Sequence, residues 1–516
     1  MKHVEIISPA SAANLIKDGS TIAICGCENV LVPDGLLRAI SERFQATGSP
    51  KAITELHPII VGMGEGRGLE NLAHPGLVAR AIGSGYSYLK TSKYTDMINN
   101  NAFEAHVIPM GTIFQMLRDC AAGRPRTFTK IGMSTFVDPE VEGGRTNAAA
   151  KTSLARYVDI EGEAYLAYDA LPVHVALLRG TTADEHGNIS FEDEPCSLGA
   201  RTIAQAAKAS GGTVIVQVSQ MTQAGSIHPR MVEIPGIFVD AVVVVPDQSV
   251  SGGPMNPSLT GRIRLPVSEV GTVPPGISRI VASRASAEVI DGEIVNLGVG
   301  MPIEVPKILH ERRAAPQATF FPEHGSVGGL PGGREIFGTN INPEAIIDST
   351  SVFDFFQGGG LDISFLGCGQ IDAEGNVNVS KFNGIVPGCG GFIDIVSRTS
   401  RVVFCGSFSA GGLDVEVGNG KLAIRTEGRH CKFVPRVEQI TFNAKIAMQR
   451  GQQVLYVTER AVFQLIAEGL ELIEIAPGIE LERDILDRVP FPIRVSDNLS
   501  LMNSHHFSGG SSYEGS

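Results

Sequence analysis

Two similar segments of the chain predict its fold: Asp18-Gly19-Ser20-Thr21-Ile22-Ala23-Ile24-Cys25-Gly26, and Asp291-Gly292-Glu293-Ile294-Val295-Asn296-Leu297-Gly298-Val299-Gly300-Met301-Pro302. In both, Asp-Gly makes a turn, a short apolar run makes a buried strand, and a helix that begins at a proline follows. Strands that alternate with helices in this way form an open, mostly parallel α/β sheet.

A second phrase follows a strand in each half of the chain: Leu178-Arg179-Gly180-Thr181-Thr182-Ala183-Asp184-Glu185-His186-Gly187-Asn188-Ile189-Ser190, and Leu366-Gly367-Cys368-Gly369-Gln370-Ile371-Asp372-Ala373-Glu374-Gly375-Asn376-Val377-Asn378. The two phrases keep their order and a similar separation, which indicates an internal duplication. The predicted architecture is therefore two similar open α/β domains, with a cleft between them in which a ligand can bind.

The boundary between the predicted domains falls in a turn-rich stretch that lacks regular periodicity, from Asp247 to Gly276. We therefore expect an N-terminal domain at 1–250, a linker at 251–276, a C-terminal domain at 277–503 and a disordered Gly/Ser-rich tail at 504–516. In the first domain, the Val-rich run Ile237–Val245 predicts a strand buried on both faces.

Composition narrows the class of protein. The chain has 516 residues, 43% hydrophobic and 19% charged, which suits two globular domains. Its net charge of -13, without a basic run, argues against nucleic acid or an anionic membrane as partner. The eight cysteines form no C-x-x-C pair, and no apolar run is long enough to span a bilayer, so we expect a reduced, soluble, cytoplasmic protein. No nucleotide-binding glycine motif, G-x-S-x-G elbow or metal-binding motif is present, and we expect no metal.

The chemistry is expected at Phe320-Phe321-Pro322-Glu323-His324-Gly325-Ser326-Val327-Gly328-Gly329-Leu330-Pro331-Gly332-Gly333. Here Glu323 lies between a short buried strand and a loop whose glycines let backbone approach a ligand closely. A carboxylate in this setting can attack an electrophile while nearby N–H groups hold the developing negative charge. The stretch by itself also fits a simple turn glutamate in a glycine-rich loop.

Motifs along nearly the whole chain, from about Ser8 to Met502, resemble the family I CoA-transferases, and specifically their long single-chain acetate and propionate branch. The matching motifs are Thr135–Pro139 with Gly143-Gly144, Phe191–Glu194, Asn296–Gly300, Asp348–Phe355 with Gly358–Asp362, Gly375–Asn378, Ser380–Asn383, Gly388–Asp394, Thr458–Phe463 and Ile473–Gly478.

The resemblance implies an active site between two open α/β domains of the CoA-transferase type. Glu323, Gly325 and Gly328 match the family's E-x-G-x-x-G loop, in which the glutamate is the nucleophile. Family chemistry is ping-pong: the glutamate attacks an acyl-CoA, forms a mixed anhydride and then a glutamyl-CoA thioester, and a second carboxylate reverses the steps. Coenzyme A is then a substrate, no cofactor is required, and the partners are acyl-CoA and carboxylic acids. Relatives imply a homodimer or homotetramer.

The resemblance also implies roles for other residues. The backbone N–H groups of Gly390 and Gly391 are candidates for the oxyanion site, although the same loop also suits a packing turn. Candidate contacts to substrate or CoA are Gly325, Gly328, Asn296, Gly298, Gly300, Met110, Gln370 and Gly388. Lys381, Lys421 and Arg429 are candidates for the CoA phosphates only because they are basic, and each also fits ordinary solvated surface.

The chain departs from the family pattern at two positions. Met110 stands in Pro109-Met110-Gly111, where relatives have a glutamine that donates a hydrogen bond near the reacting carbonyl. Methionine cannot donate one, so the acyl pocket is more apolar, backbone amides act alone, or activity is reduced. His324 follows the nucleophile and either points to solvent or contacts the carboxyl substrate. An acyl-CoA hydrolase and a non-catalytic acyl-CoA-binding protein are the alternative functions.

Overall fold

The computed structural model describes residues 3–249, 256–266, 271–312, 315–333 and 336–508. Each half of the chain contributes an eight-stranded sheet with helices packed against it. Residues 251–255 and 267–270 of the expected linker, and 509–516 of the expected tail, lie outside the described residues. None of the described helices is long and apolar enough to cross a membrane.

The first half folds around a parallel sheet. Its helices are α1 Pro9–Asn14, α2 Asp34–Thr47, α3 Lys93–Asn99, α4 Met110–Ala121 and α5 Ala200–Ala209, with 3₁₀ turns at Gly68–Leu72, Pro229–Met231 and Gly236–Phe238. Its strands are β1 Glu5–Ile6, β2 Thr21–Ile24, β3 Ile53–His57, β4 Val78–Gly83, β5 Glu104–Val107, β6 Arg126–Thr129, β7 Ala155–Ile160, β8 Glu163–Asp169, β9 Val175–Arg179, β10 Thr182–Asp184, β11 Ile189–Ser190, β12 Thr213–Val218, β13 Gln220–Thr222, β14 Val232–Ile234 and β15 Ala241–Val244.

The main sheet of this half has the order β1-β15-β12-β9-β2-β3-β4-β5, and each of these pairings is parallel. Both faces are covered, as parallel sheets require. In β2, for example, Ile22 and Ile24 enter the core on one face, and Ala23 enters the core on the other. This is why the strand reads as a continuous apolar run in the sequence.

The second half repeats this plan around a second eight-stranded sheet. Its helices are α6 Ile277–Ala285, α7 Val305–Glu311, α8 Ser349–Gln357, α9 Phe392–Arg398, α10 Ala444–Gln449 and α11 Leu481–Asp484, with 3₁₀ turns at Ser286–Glu288, Met301–Glu304, Leu486–Arg488 and Ser504–Phe507. Its strands are β16 Ile294–Leu297, β17 Thr319–Phe320, β18 Ser326–Val327, β19 Leu330–Pro331, β20 Asn340–Ile341, β21 Ala345–Ile346, β22 Ile363–Gly367, β23 Gln370–Ile371, β24 Val377–Asn378, β25 Arg401–Cys405, β26 Ser409–Ala410, β27 Asp414–Gly418, β28 Lys421–Thr426, β29 His430–Cys431, β30 Gln453–Val457, β31 Ala461–Ile466, β32 Gly469–Ile475 and β33 Arg494–Leu501.

Five neighbouring strands have the same order in both sheets. The second sheet has the order β17-β16-β22-β25-β30-β31-β32-β33, parallel as far as β30 and then continued by the antiparallel strands β31 and β32. Its first five strands follow the same order as β3-β2-β9-β12-β15 of the first sheet. The opening phrases contain β2 and β16, which hold equivalent places in the two sheets, so the predicted pair of similar α/β domains is confirmed.

The second repeated phrase also folds alike in both halves. It forms the β10–β11 hairpin in the first domain and the β23–β24 hairpin in the second. In each turn one aspartate oxygen accepts two backbone N–H groups. These bonds are His186 N and Asn188 N to Asp184 Oδ1, 3.0 and 2.9 Å, and Glu374 N and Asn376 N to Asp372 Oδ1, 3.1 and 2.9 Å. The shared Asp and Asn residues therefore shape a turn.

Two sequence expectations differ from the structure. Only Ala241–Val244 of the Val-rich run is a strand, because Pro235 and Gly236 begin a 3₁₀ turn that leaves Ile237 77% exposed. The start of the expected disordered tail is ordered: Ser504–Phe507 forms a 3₁₀ turn with Phe507 buried in the second core. The buried side chain of Phe507 attaches this turn to the core, whereas the polar composition of the surrounding sequence had indicated disorder.

Candidate active site

A cavity of about 240 Å³ lies where the two domains meet, and Glu323 is in its wall. Tyr88 comes from the first domain, while the other described lining residues come from the second. They are Gly298, Val299, Glu323, Phe337, Leu366, Gly367, Cys368, Gly369, Val379, Phe382, Pro387, Gly388, Cys389, Gly390, Gly391, Phe392 and Ile395. The wall is thus bare backbone and apolar side chains around one carboxylate.

Glu323 sits in a turn directly after β17. This strand pairs with β16, and the N–H of Phe321 extends the ladder by donating to Val295 O at 2.9 Å. The glutamate is 7% exposed, and its Oε2 finds no hydrogen-bond partner among the described residues. A carboxylate oxygen that is removed from water and lacks a donor is poorly stabilised, and therefore more reactive towards an electrophile than a surface carboxylate.

The glycines of the E-x-G-x-x-G loop shape the backbone. Gly325 has φ +111°, and a Cβ placed there would lie 1.9 Å from Ile347 O. Gly328 has φ +70°, and its Cβ would lie 2.8 Å from the side chain of Glu344. Neither glycine lines the cavity, so the structure does not place these two predicted substrate contacts against a ligand. Their role is to let the chain turn tightly behind Glu323.

His324 does not point to solvent. Its side chain is 2% exposed, and Nε2 lies 3.1 Å from the thiol of Cys27 in the first domain. Burial lowers the pKa of His324, and this effect outweighs the charge of Glu323, which acts to raise the pKa. The imidazole is therefore neutral near pH 7. The residue beside Glu323 therefore forms an uncharged contact between the domains.

The loop Gly388–Gly391 faces Glu323 across the cavity. The N–H of Gly390 donates to Ser84 O at 2.9 Å, so this predicted oxyanion donor is already occupied. The N–H of Gly391 has no acceptor among the described residues, and it is the donor of the two that remains available. Gly388 lines the cavity with φ +76° and packs against Gly85 of the first domain.

The predicted contacts in the β16 region have different positions. Gly298 lines the cavity, whereas Gly300 is exposed outside it and begins a 3₁₀ turn. Asn296 is buried in β16, and its Nδ2 donates to Phe321 O at 3.1 Å. Asn296 thus holds the strand end that carries Glu323, and it is not part of the cavity wall.

Met110 and Gln370 do not line the cavity. Met110 begins α4 behind the loop, with its N–H donating to Gly390 O at 3.0 Å and its side chain buried. Gln370 Oε1 accepts from Asn378 Nδ2 at 2.7 Å and from Glu438 N at 2.9 Å, and so it holds the β23–β24 hairpin. Both side chains have structural partners that the motifs did not reveal.

The three basic candidates for the CoA phosphates also lie outside the cavity wall. Lys381 Nζ donates to Thr146 O at 3.2 Å, Arg429 Nε donates to Gly411 O at 3.0 Å, and Lys421 is exposed in β28. Within the described ranges, no three His, Cys, Asp or Glu side chains gather closely enough to hold a metal ion.

Residues that sequence reasoning missed supply the first domain's part of the site. Tyr88 lines the cavity, and burial, followed by the charge of Glu28, raises its pKa well above the usual value, so the phenol is a neutral donor. Its backbone segment, Ser84–Tyr88, contacts the Gly388–Gly391 loop. No local pattern in the sequence marked this segment.

Asp394 lies one turn behind the loop in α9 and is fully buried. Its carboxylate accepts from Gly111 N at 3.0 Å and from Gln357 Nε2 at 2.9 Å. Burial nevertheless raises the pKa of Asp394 to about 7. A larger groove of about 770 Å³ lies at the C-terminal end of α9, and since it contains no residue of the glutamate loop, the smaller cavity is the candidate active site.

Known proteins to which this chain is similar include CoA-transferases. Residues 6–245 match the model of the family described as Coenzyme A transferase. The chain is 41% identical to caffeate CoA-transferase of Acetobacterium woodii over 98% of this chain and 97% of that protein. It is 39% identical to acetate CoA-transferase YdiF of Escherichia coli O157:H7 over 98% and 95%. A crystal structure of YdiF as a thioester complex with CoA superposes with a TM-score of 0.92 at 38% identity, covering 98% of this chain and 96% of that one. The chain is therefore an enzyme that belongs to the coenzyme A transferase family.

Proposed function

We propose that this enzyme moves CoA from an acyl-CoA to a free carboxylic acid through a thioester on Glu323. The observation that carries the proposal is the buried, unpartnered Oε2 of Glu323 in a largely apolar cavity between the domains. No metal or redox cofactor takes part in this chemistry, and CoA is a substrate.

The reaction begins when a Glu323 oxygen attacks the thioester carbonyl carbon. The C–S bond breaks, CoA leaves as the thiolate, and a mixed anhydride remains. The thiolate then attacks the glutamyl carbonyl, which releases the first carboxylate and forms glutamyl-CoA. A second carboxylate reverses both steps, so atoms and charge balance without another reactant.

Each tetrahedral intermediate carries an oxyanion. We assign its stabilisation to the N–H of Gly391, supported by the neutral phenol of Tyr88. One well-aimed donor of this kind contributes about 10²–10³ in rate. The apolar side chains of Val299, Leu366 and Phe382 exclude water from the anhydride, which favours transfer over hydrolysis.

The substrates proposed are short-chain acyl-CoAs and monocarboxylic acids. Two similar proteins are named for acetate and caffeate, which are monocarboxylic acids of very different size. A panel of acceptors from acetate to an aromatic acid, each tested against one acyl-CoA donor, will rank the acids by kcat/KM.

The test of the reaction uses acyl-CoA without acceptor. We expect mass spectrometry of the digested protein to find CoA on the peptide that contains Glu323, and Glu323→Gln to carry none and to lose activity. An active Glu323→Gln variant without an adduct contradicts the proposal. Thiol release without acceptor, as fast as with it, would instead indicate a hydrolase, although Met110, the motive for that alternative, lies outside the cavity.

A further inference from the structure

A buried polar network lies in the first domain behind the active-site loop. Glu55 and His57 are two residues apart in β3, so their side chains share one face of the strand, and both are 0% exposed. His57 Nδ1 lies 2.5 Å from Glu55 Oε1, and Tyr94 OH donates to Glu55 Oε2 at 3.2 Å. Burying such a pair rarely adds stability over apolar residues of the same size, so its presence asks for another role.

The hydrogen bonds define where the protons are. His57 Nε2 lies 2.8 Å from Gly85 O, and because a carbonyl can only accept, Nε2 carries a hydrogen. Nδ1 faces a carboxylate, so the pair shares one further proton. Burial acts to lower the pKa of His57, but the charge and hydrogen bond of Glu55 outweigh it and raise the pKa. The donor to Gly85 is therefore permanent near neutral pH; the titratable groups around the imidazole are Glu55, Tyr86 and Tyr94.

The carbonyl that His57 holds belongs to a peptide that grips the active-site loop. The Gly85–Tyr86 peptide accepts from His57 through its oxygen and donates through the Tyr86 N–H to Val386 O at 3.2 Å. The preceding carbonyl, Ser84 O, accepts the N–H of Gly390 at 2.9 Å. The loop is thus held on both sides of Gly388.

The backbones at Gly85 and Gly388 pack so closely that neither position has room for a side chain. A Cβ at Gly85 would lie 1.8 Å from Pro387 O, and a Cβ at Gly388 would lie 2.2 Å from Gly85 Cα. Gly83 makes room for the imidazole, since a Cβ there would lie 2.0 Å from His57 Nε2. A rotation of the Gly85–Tyr86 peptide therefore moves the loop that faces Glu323.

We propose that His57, oriented by Glu55 and Tyr94, is a positioning residue that fixes the Gly85–Tyr86 peptide and thereby aligns the Gly388–Gly391 loop with Glu323. The inference rests on the proposed reaction, since it assigns the loop a place in the transition state. His57 touches no substrate, so it acts on the rate of thioester formation and leaves the binding of acyl-CoA unchanged.

Two amide substitutions of different length separate this role from simple packing. His57→Gln places an amide nitrogen where Nε2 was and keeps the donor to Gly85 O. His57→Asn is one methylene shorter, keeps a polar contact to Glu55 and loses Gly85. We expect His57→Asn to lower kcat and the single-turnover rate of Glu323 adduct formation at least 10-fold, with KM for acyl-CoA changed less than 3-fold. His57→Gln should stay within 3-fold of the parent in both.

A triple variant covers the case in which His57→Asn fails to fold. Glu55→Met/His57→Phe/Tyr94→Phe removes all three polar side-chain groups together, so that of this network only the Gly85 carbonyl loses its donor. We expect it to fold and to show the same loss of kcat. A folded His57→Asn or triple variant with parental kcat overturns the positioning role alone, whereas a parent protein that forms no adduct and transfers no CoA overturns the reaction and this inference together.

Discussion

The thiol of Cys27 lies 3.1 Å from Nε2 of His324, so that a loop of the first domain touches the residue beside Glu323. Burial, followed by the charge of Glu28, raises the pKa of Cys27 well above its usual value, while burial lowers the pKa of His324. Both groups are therefore uncharged at pH 7, and the contact is a neutral hydrogen bond. The glutamate loop is anchored across the cleft without placing a second charge next to Glu323.

Removing this contact is expected to weaken the anchor. Cys27→Ala leaves the buried His324 Nε2 without a partner, which costs about 1–3 kcal/mol in the free energy of unfolding. We also expect kcat to fall about 10-fold, while Cys27→Ser, which keeps a hydroxyl, recovers most of both losses. Denaturant unfolding and steady-state kinetics measure the two quantities. Cys25→Ala is the control, because the Cys25 thiol donates to the carbonyls of Ser197 and Leu198 and does not bond His324; an equal effect on kcat there contradicts the role of Cys27.

Asp394 is expected to make stability depend on pH. Burial raises the pKa of Asp394 from 3.8 to about 7, so between these values the folded protein binds a proton that the unfolded chain does not. The stabilisation from this group is therefore full below about pH 4 and is lost as pH rises through 7, a change of up to roughly 4 kcal/mol. Asp394→Asn keeps a neutral side chain, so its unfolding free energy minus that of the parent should increase from pH 4 to pH 8. Parallel curves for the two proteins, measured by denaturant unfolding, contradict this.

Most of the fold could be predicted from the repeated phrases, because turns and strands are determined by residues that are close in sequence. The Asp-Gly turns before β2 and β16, and the turns closed by Asp184 and Asp372, are encoded within a few residues each. The shape of the Glu323 loop was predictable for the same reason: a strand comes directly before Glu323 and glycines that allow a tight turn come after it.

The contacts that complete the site could not be read in this way. The engagement of the Gly390 N–H by Ser84 and the pairing of His324 with Cys27 join segments that are far apart in sequence, and they follow from how the two domains pack. One local signal was present and not used. Glu55 and His57 are polar residues at alternate positions of an otherwise buried strand, a pattern that indicates a paired polar network inside the core.

Gly325 is expected to tolerate no side chain. Its φ of +111° strains any L-residue, and a Cβ would lie 1.9 Å from Ile347 O, which is backbone and cannot give way. Gly325→Ala should displace Glu323, lower kcat at least 100-fold and reduce the free energy of unfolding by about 1–3 kcal/mol. Gly333→Ala is the control in the same glycine-rich stretch, because nothing lies within 4 Å of its Cβ position. Equal kcat values for the two variants contradict the strain argument.

Met110 is expected to act through packing rather than as a contact to substrate. Its side chain is buried in the first core, and its Cε lies 3.8 Å from the Cβ position of Gly390, behind the active-site loop. Met110→Leu keeps the volume and should cost less than about 1.5 kcal/mol in the free energy of unfolding, with kcat nearly unchanged. Met110→Gln, the residue of the family pattern, buries an amide beside this apolar core and should lower the free energy of unfolding by about 1–3 kcal/mol without raising kcat. Thermal unfolding and steady-state kinetics on the two variants measure these effects. A kcat that rises at least 3-fold in Met110→Gln contradicts the packing role. It means that the glutamine reaches the reacting carbonyl, and that the parent enzyme lacks a hydrogen-bond donor for which its site has room.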